Sequence, residues 1–150
     1  MNFSAITDDL FVGSSPGRND FDVLRQMGVR LVINMRWRPG PRPPADDPVL
    51  RYAWFRTFDN PLLPIPLAAL IQGVQLALEE IRLGGKVYTH CAVGRHRSVA
   101  MASAILIAQG LEPEAAMGLI KERRPVADPD AFHIRRRIIA FAKQWEGIHV

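Results

Sequence analysis

A chain of 150 residues, 48% hydrophobic and 23% charged, has room for one core and the make-up of an ordinary globular domain. Its single cysteine excludes an intramolecular disulfide, so nothing points to an oxidising compartment. A net charge of +4 admits nucleic acid, anionic lipid or a phosphorylated substrate as partner. Aromatics are not interleaved with the basic clusters Arg36/Arg38/Arg42 and Arg135-Arg136-Arg137, which argues against a nucleic-acid module.

The start of the chain carries Asp8 and Asp9 and no long apolar run, unlike a signal peptide. Leu10 to Gly13 reads as a short strand. Asn19 or Asp20 is placed to cap a helix running through Met27, with Gly28 just past its end. Leu31-Val32-Ile33-Asn34 is an apolar β-type run and predicts a buried strand. The proline-rich stretch 39–44 must be an exposed loop, too short to divide two domains. Tyr52 to Phe55 is the next strand candidate. Leu67 to Leu83 has helical spacing, with Leu67, Leu70, Ile71, Val74, Leu78 and Ile81 on one side, and Gly84-Gly85 stops it.

Lys86 to His90 predicts a strand. Arg97 to Gln109 is helical and apolar on most faces, which makes it central, and Gly110 ends it. A helix from Pro113 to Arg124 stops before Pro125. Asp128 is expected to cap the last helix, with Pro129 at its first position, and the helix to run to about Trp145. The most apolar stretch, Val99 to Ala108, is too short to cross a membrane, so no transmembrane segment and a cytoplasmic location are expected. Strands alternating with helices predict a single α/β domain over 1–150, with a central, mainly parallel sheet flanked by helices. Ligands bind beyond the carboxyl ends of such strands.

His90-Cys91-Ala92-Val93-Gly94-Arg95-His96-Arg97-Ser98 lies at such an end. Five residues separate Cys91 from Arg97, enough for a loop whose N–H groups turn inward as an anion nest. The nest opens onto a helix N-terminus, which adds positive potential and free donors. Arg97 at that junction offers a fork for two phosphate oxygens. The same field lowers the pKa of a thiol from about 8.5 toward the range of about 3.5–7.5. Cys91 is thereby a nucleophile inside a phosphate cradle formed by Ala92, Val93, Gly94, Arg95, His96 and Arg97. Ser98 is placed to stabilise the thiolate when it leaves, and His90 to orient the loop.

The run His90-Cys91-x5-Arg97-Ser98 resembles the signature of the cysteine-dependent protein tyrosine phosphatases, in their dual-specificity subgroup. The similarity extends over Ile6 to Ser14, Gly28 to Asn34, and Arg124-Pro125 with the final helix. It implies hydrolysis of phosphate monoesters through a cysteinyl-phosphate. Cleavage of an ester needs a proton for the leaving oxygen. Asp59, in the turn-forming Phe58-Asp59-Asn60-Pro61 between a strand and helix 67–83, is the candidate acid. The subgroup carries its acid on a loop there, about thirty residues before the cysteine; here 91 − 59 = 32. Asp46 and Asp47 are rivals but follow the proline-rich loop, where more mobility is expected, and Asp128 and Asp130 are assigned to the last helix's first turn.

His90, His96, His133 and His149 show no metal-ligand spacing in the sequence, so no metal and no cofactor are expected. The expected partner is a phosphorylated protein or a small phosphate ester; the oligomeric state is open. Arg95 and His96 either make the pocket mouth cationic, suiting a polyanion such as a phosphoinositide, or Arg95 turns outward onto a loop carboxylate. A binding protein without turnover is disfavoured, since Cys91, Arg97, Ser98 and Asp59 are all present. Trp37, Trp54 and Trp145 are assigned to packing.

Overall fold

The computed structural model describes residues 1–149; Val150 and the side chain of His149, one of the four histidines considered above, lie outside the described residues. The apolar runs form one five-stranded sheet from β1 (Phe3–Ala5), β2 (Leu10–Gly13), β3 (Val29–Asn34), β4 (Arg51–Trp54) and β5 (Lys86–His90). The order is β1-β2-β5-β3-β4. Parallel pairs β2·β5, β5·β3 and β3·β4 make up all of it except β1, which joins the edge antiparallel to β2. β1 escaped the sequence reading because only three residues long, with exposed ends, it carries no alternation to detect. The central position of β5 sets its last residue, His90, beside both Gly13 and Asn34. The chain leaving β5 therefore emerges between the ends of two flanking strands.

Five helices follow the strands: α1 (Asp20–Gln26), α2 (Leu67–Arg82), α3 (Arg97–Ala108), α4 (Pro113–Arg123) and α5 (Phe132–His149). Alternate residues of the strands face two cores. Leu10, Val12, Leu31, Ile33 and Val87 pack with residues of α2, α3, α4 and α5. Phe11, Val32 and Tyr88 pack with Phe21 and Leu24 of α1. All nine residues of α3 from Ser98 to Leu106 are buried, so a helix apolar on most faces is indeed the central one. Ile105, fully buried there, marks the cost of disturbing it: truncation to alanine costs about 2–5 kcal/mol.

Boundaries fall within two residues of expectation except at α5, and at α1 only the capping differs. At α1, Asn19 makes no side-chain cap; Asp20 instead accepts the N–H of Gly17 at 2.7 Å. At α5 the helix begins at Phe132, so Asp128 is not its cap and Pro129 not its first residue. The Asp128 N–H is drawn to the Arg95 carbonyl at 2.9 Å, which turns 128–131 into a connection against the loop after β5. The helix also runs to His149, past Trp145. Among the described residues no helix is long and apolar enough to cross a membrane.

Candidate active site

Between β5 and α3 the backbone carbonyls all turn outward, and each finds a donor. The His90 carbonyl accepts Met35 N–H at 2.9 Å, that of Ala92 accepts Ser15 N–H at 3.2 Å, and that of Arg95 accepts Asp128 N–H at 2.9 Å. The Val93 and Gly94 carbonyls are taken by one side chain: Arg124 donates through Nη2 and Nε, each at 2.8 Å. His90 Nδ1 lies 3.2 Å from the Cys91 carbonyl. With the carbonyls committed outward, the N–H groups of the loop are left facing in, as an anion nest requires. Gly94 sits at φ +71, and a Cβ there would lie 2.6 Å from the Gly13 carbonyl oxygen, so the loop tolerates only glycine at its tightest point.

Cys91 lies at the floor of this loop, only 3% exposed. Burial alone would push its thiol up. The Ser98 hydroxyl, 3.2 Å from Sγ, and the N–H groups of Ser98, Arg95 and Gly94 outweigh burial and hold the thiol below its ordinary value. His90 is also buried, and burial, with the Arg36 charge adding to it, depresses the imidazole to about 4. It is neutral at physiological pH, in keeping with an orienting role.

Arg97 is gripped at one nitrogen: Nη1 donates to the Thr57 carbonyl at 2.8 Å and to that of Met35 at 3.4 Å. Its Nε is buried and has no partner among the described residues. A buried guanidinium N–H left open costs free energy unless an acceptor arrives, and a bidentate oxyanion is the acceptor its geometry suits.

Asp59 lies on the loop between β4 and α2. That loop is tied to the one after β3. Thr57 Oγ1 donates to the Met35 carbonyl at 2.6 Å, and Trp54 Nε1 to that of Arg36 at 2.7 Å. Trp37 stacks on Phe58 with centroids 4.2 Å apart, and the Arg56 guanidinium caps Trp37 at 4.4 Å. The Asp59 carboxylate meets two imidazoles: Oδ2 is 2.8 Å from His96 Nδ1, and Oδ1 is 2.5 Å from His133 Nε2. Burial would raise this carboxyl, but the His133 and His96 contacts hold it below the usual carboxylate range.

The loop's own basic side chains are not free. Arg95 is half-exposed and lies 3.7 Å from Asp128, and His96 Nε2 lies 3.3 Å from the same carboxylate. The Arg95 side chain therefore turns away from the cradle, because Asp128, released from capping α5, is there to receive it; its N–H still faces Cys91. His96 faces Asp59. The rival Asp47 is a structural residue: nearly buried, it accepts the N–H groups of Val49 and Leu50 and pairs with Arg25, which anchors the segment expected to be mobile. Of the basic trio, Arg135 pairs with Glu114 and Asp130, Arg137 bonds the Ile65 carbonyl, and Arg136 covers Phe132.

Sequence reasoning did not find the grip of Arg124, the place of His133, or the assembly of Asp59, His96 and His133, whose ligand atoms lie within 4.8 Å of one another. Arg124-Pro125 was at least a signal. His133 gave none, since its partner is 74 residues away.

A thiol lowered in pKa at the floor of an inward-facing N–H loop, closed by an arginine fork on the next helix, defines a cysteine-dependent phosphatase. No family model matches the chain. It is 33% identical over 128 residues to human dual specificity phosphatase 28, an alignment covering 83% of this chain and 69% of that one. The crystal structure of human DUSP28 superposes with a TM-score of 0.84 at 27% identity, covering 96% of this chain and 95% of the other. That of PTPMT1 in complex with PI(5)P superposes at 0.86 and 26% identity, over 99% of each. The chain belongs to the dual specificity phosphatases.

Proposed function

We propose that this phosphatase acts on phosphotyrosine and on phosphoserine or phosphothreonine in proteins, with Cys91 as nucleophile and Asp59 as general acid. The observation that carries the mechanism is the outward commitment of every loop carbonyl from His90 to Arg95 around a buried thiol. The phosphoryl group enters the nest, where the loop N–H groups and Arg97 hold its oxygens and strengthen on the charge of the transition state. Cys91 Sγ forms a bond to phosphorus as the ester P–O bond breaks. The Asp59 carboxyl gives its proton to the leaving oxygen. At rest that carboxyl is hydrogen-bonded to His133 Nε2 at 2.5 Å and to His96 Nδ1 at 2.8 Å, and it takes up a proton from solvent before it acts. In the second half, water attacks phosphorus and gives a proton to Asp59. The S–P bond breaks, and the Ser98 hydroxyl donates to the thiolate as it departs.

The commitment of Arg95 and His96 to carboxylates supports the phosphoprotein reading, since it engages both basic side chains of the mouth with acidic partners. The likeness to PTPMT1, whose crystal holds PI(5)P, favours a second reading: phosphoinositides as substrates of the same mechanism. A phosphate-release panel of phosphopeptides and phosphoinositides, blanked by Cys91→Ser, separates them. For the mechanism, Cys91→Ser is expected to abolish turnover of aryl phosphates. Asp59→Asn is expected to slow phenyl phosphate by about 10²–10⁴-fold, and esters of more acidic phenols much less. Equal slowing across that leaving-group series would remove Asp59 from the acid's role. Residual turnover in Cys91→Ser would remove the thiolate.

A further inference from the structure

We infer that Asp59, His96 and His133 form a binding site for a divalent transition-metal ion of the zinc type, and that filling it takes the proton donor out of the reaction. The inhibitory half rests on Asp59 being the acid; the metal site does not.

Three ligand atoms converge from three segments: a carboxylate oxygen on the β4–α2 loop, His96 Nδ1 at the start of α3, and His133 Nε2 on α5. Two imidazoles and one carboxylate are a donor set suited to zinc, and three protein ligands leave the fourth position for water. Zinc holds such nitrogens and oxygens at about 2.0–2.2 Å, which puts tetrahedral ligand atoms roughly 3.4 Å apart. Asp59 Oδ2 is 2.8 Å from His96 Nδ1 and Oδ1 is 2.5 Å from His133 Nε2, and the three ligand atoms lie within 4.8 Å of one another, so shifts of about 1 Å bring them to that spacing.

The surroundings are those of a supported site. His96 reaches Asp128 through its second nitrogen at 3.3 Å. A carboxylate on the outer imidazole N–H leaves the Nδ1 lone pair for the ion and fixes the ring. Arg95, 3.7 Å from Asp128, in turn holds that carboxylate. The two rings stand edge to face with centroids 5.3 Å apart, and their ligating nitrogens lie within 4.8 Å of each other. The imidazoles are mostly covered, at 18% and 17% side-chain exposure, while Asp59 at 36% leaves the ion a way in from solvent. On binding, any protons on the two ligating nitrogens pass to solvent and lone pairs of both rings and the carboxylate form the bonds. A carboxylate oxygen bonded to the ion has no proton to give to a leaving group.

The test uses the full chain as Cys91→Ser, which removes the thiolate as a competing ligand and carries no turnover. Titration with zinc chloride by calorimetry is expected to give one ion per chain. Affinity is expected to fall at least 100-fold on adding either His133→Ala or His133→Gln, and by about 10–100-fold on adding Asp128→Asn. Cobalt in the same protein is expected to show tetrahedral d–d bands without a thiolate charge-transfer band. Unchanged zinc affinity in both His133 variants, each with an unaltered melting temperature without metal, overturns the site. In the protein with Cys91 intact, zinc is expected to inhibit phenyl phosphate turnover reversibly by EDTA while inorganic phosphate competes as before. Inhibition that instead tracks weakened phosphate competition places the ion on the thiolate and overturns the inhibitory half. If zinc binds the cluster but Asp59→Asn leaves the leaving-group dependence intact, the acid assignment fails and the metal site stands.

Discussion

The two halves of this active site are built by different means. The cradle around Cys91 is one continuous segment whose shape is set by backbone hydrogen bonds and a single buried arginine. The side that carries Asp59, the proposed acid, is assembled from three distant segments through one exposed carboxylate and two largely covered imidazoles, those of His96 and His133. A cradle held by many buried bonds cannot relax when one is lost, because each freed carbonyl is left without a partner. A carboxylate that is itself exposed and held only by two side chains can exchange partners, protons and ions. On the proposed mechanism, phosphate recognition is thereby the rigid function of the molecule and proton supply the adjustable one.

The hardest blow to the rigid half is Arg124→Met. It keeps the length and removes three hydrogen bonds: to the carbonyls of Val93 and Gly94, and to the Ser4 hydroxyl. The buried Gly94 carbonyl, once stranded, costs about 1–3 kcal/mol, and the loop N–H groups lose their inward aim. We expect kcat/KM to fall about 10²–10³-fold, the scale for misplacing oxyanion donors. Inorganic phosphate should inhibit more weakly to match. Asp59→Asn, by contrast, should leave phosphate inhibition unchanged. If Arg124→Met leaves phosphate affinity intact, the outward carbonyls do not shape the nest.

His90 tests whether the rigid half also sets the molecule's acid sensitivity. Burial, aided by Arg36, lowers its imidazole from 6.5 to about 4. As pH falls below 6.5 the unfolded chain takes up a proton that the folded one refuses. Stability is therefore lost between about pH 6.5 and pH 4 and levels off below, by at most about 3 kcal/mol. In His90→Asn, which keeps a donor for the Cys91 carbonyl, urea unfolding should lose that part of its pH slope. An identical slope in the variant would assign the acid sensitivity to other groups.

The contrast also decides what the sequence disclosed. The cradle was legible because its chemistry is contiguous: a thiol, a glycine, an arginine and a serine at fixed spacing between an apolar strand and an apolar helix. Asp59 was legible only through turn-forming neighbours and a family resemblance. His133 and the true place of Asp128 were not legible. His133 meets Asp59 and His96 only across 74 and 37 residues of chain, and Asp-Pro before a helix is a capping pattern that local rules read as a cap. Here the pull of the Arg95 carbonyl on the Asp128 N–H, and of Arg95 and His96 on its carboxylate, overrode the local preference.

Ser98 makes the smallest change and the finest test, because it touches the thiolate and nothing on the acid side. Its hydroxyl, 3.2 Å from Sγ, favours the charged form against burial, which disfavours it. Removing it in Ser98→Ala leaves the loop N–H groups in place, so the thiol pKa moves up but the cradle keeps its shape. Alkylation by iodoacetamide should then begin at higher pH than in the parent, whose thiolate persists below the ordinary thiol range. Loss of one hydrogen bond to a charged leaving group costs about 1.5–3 kcal/mol in its own step, or roughly 10–100-fold. That loss should fall on release of the cysteinyl-phosphate, which appears as a burst of phenol followed by a slowed steady state. A uniform slowing without a burst would place the hydroxyl's contribution in the first step, with the acid, and dissolve the division between the two halves.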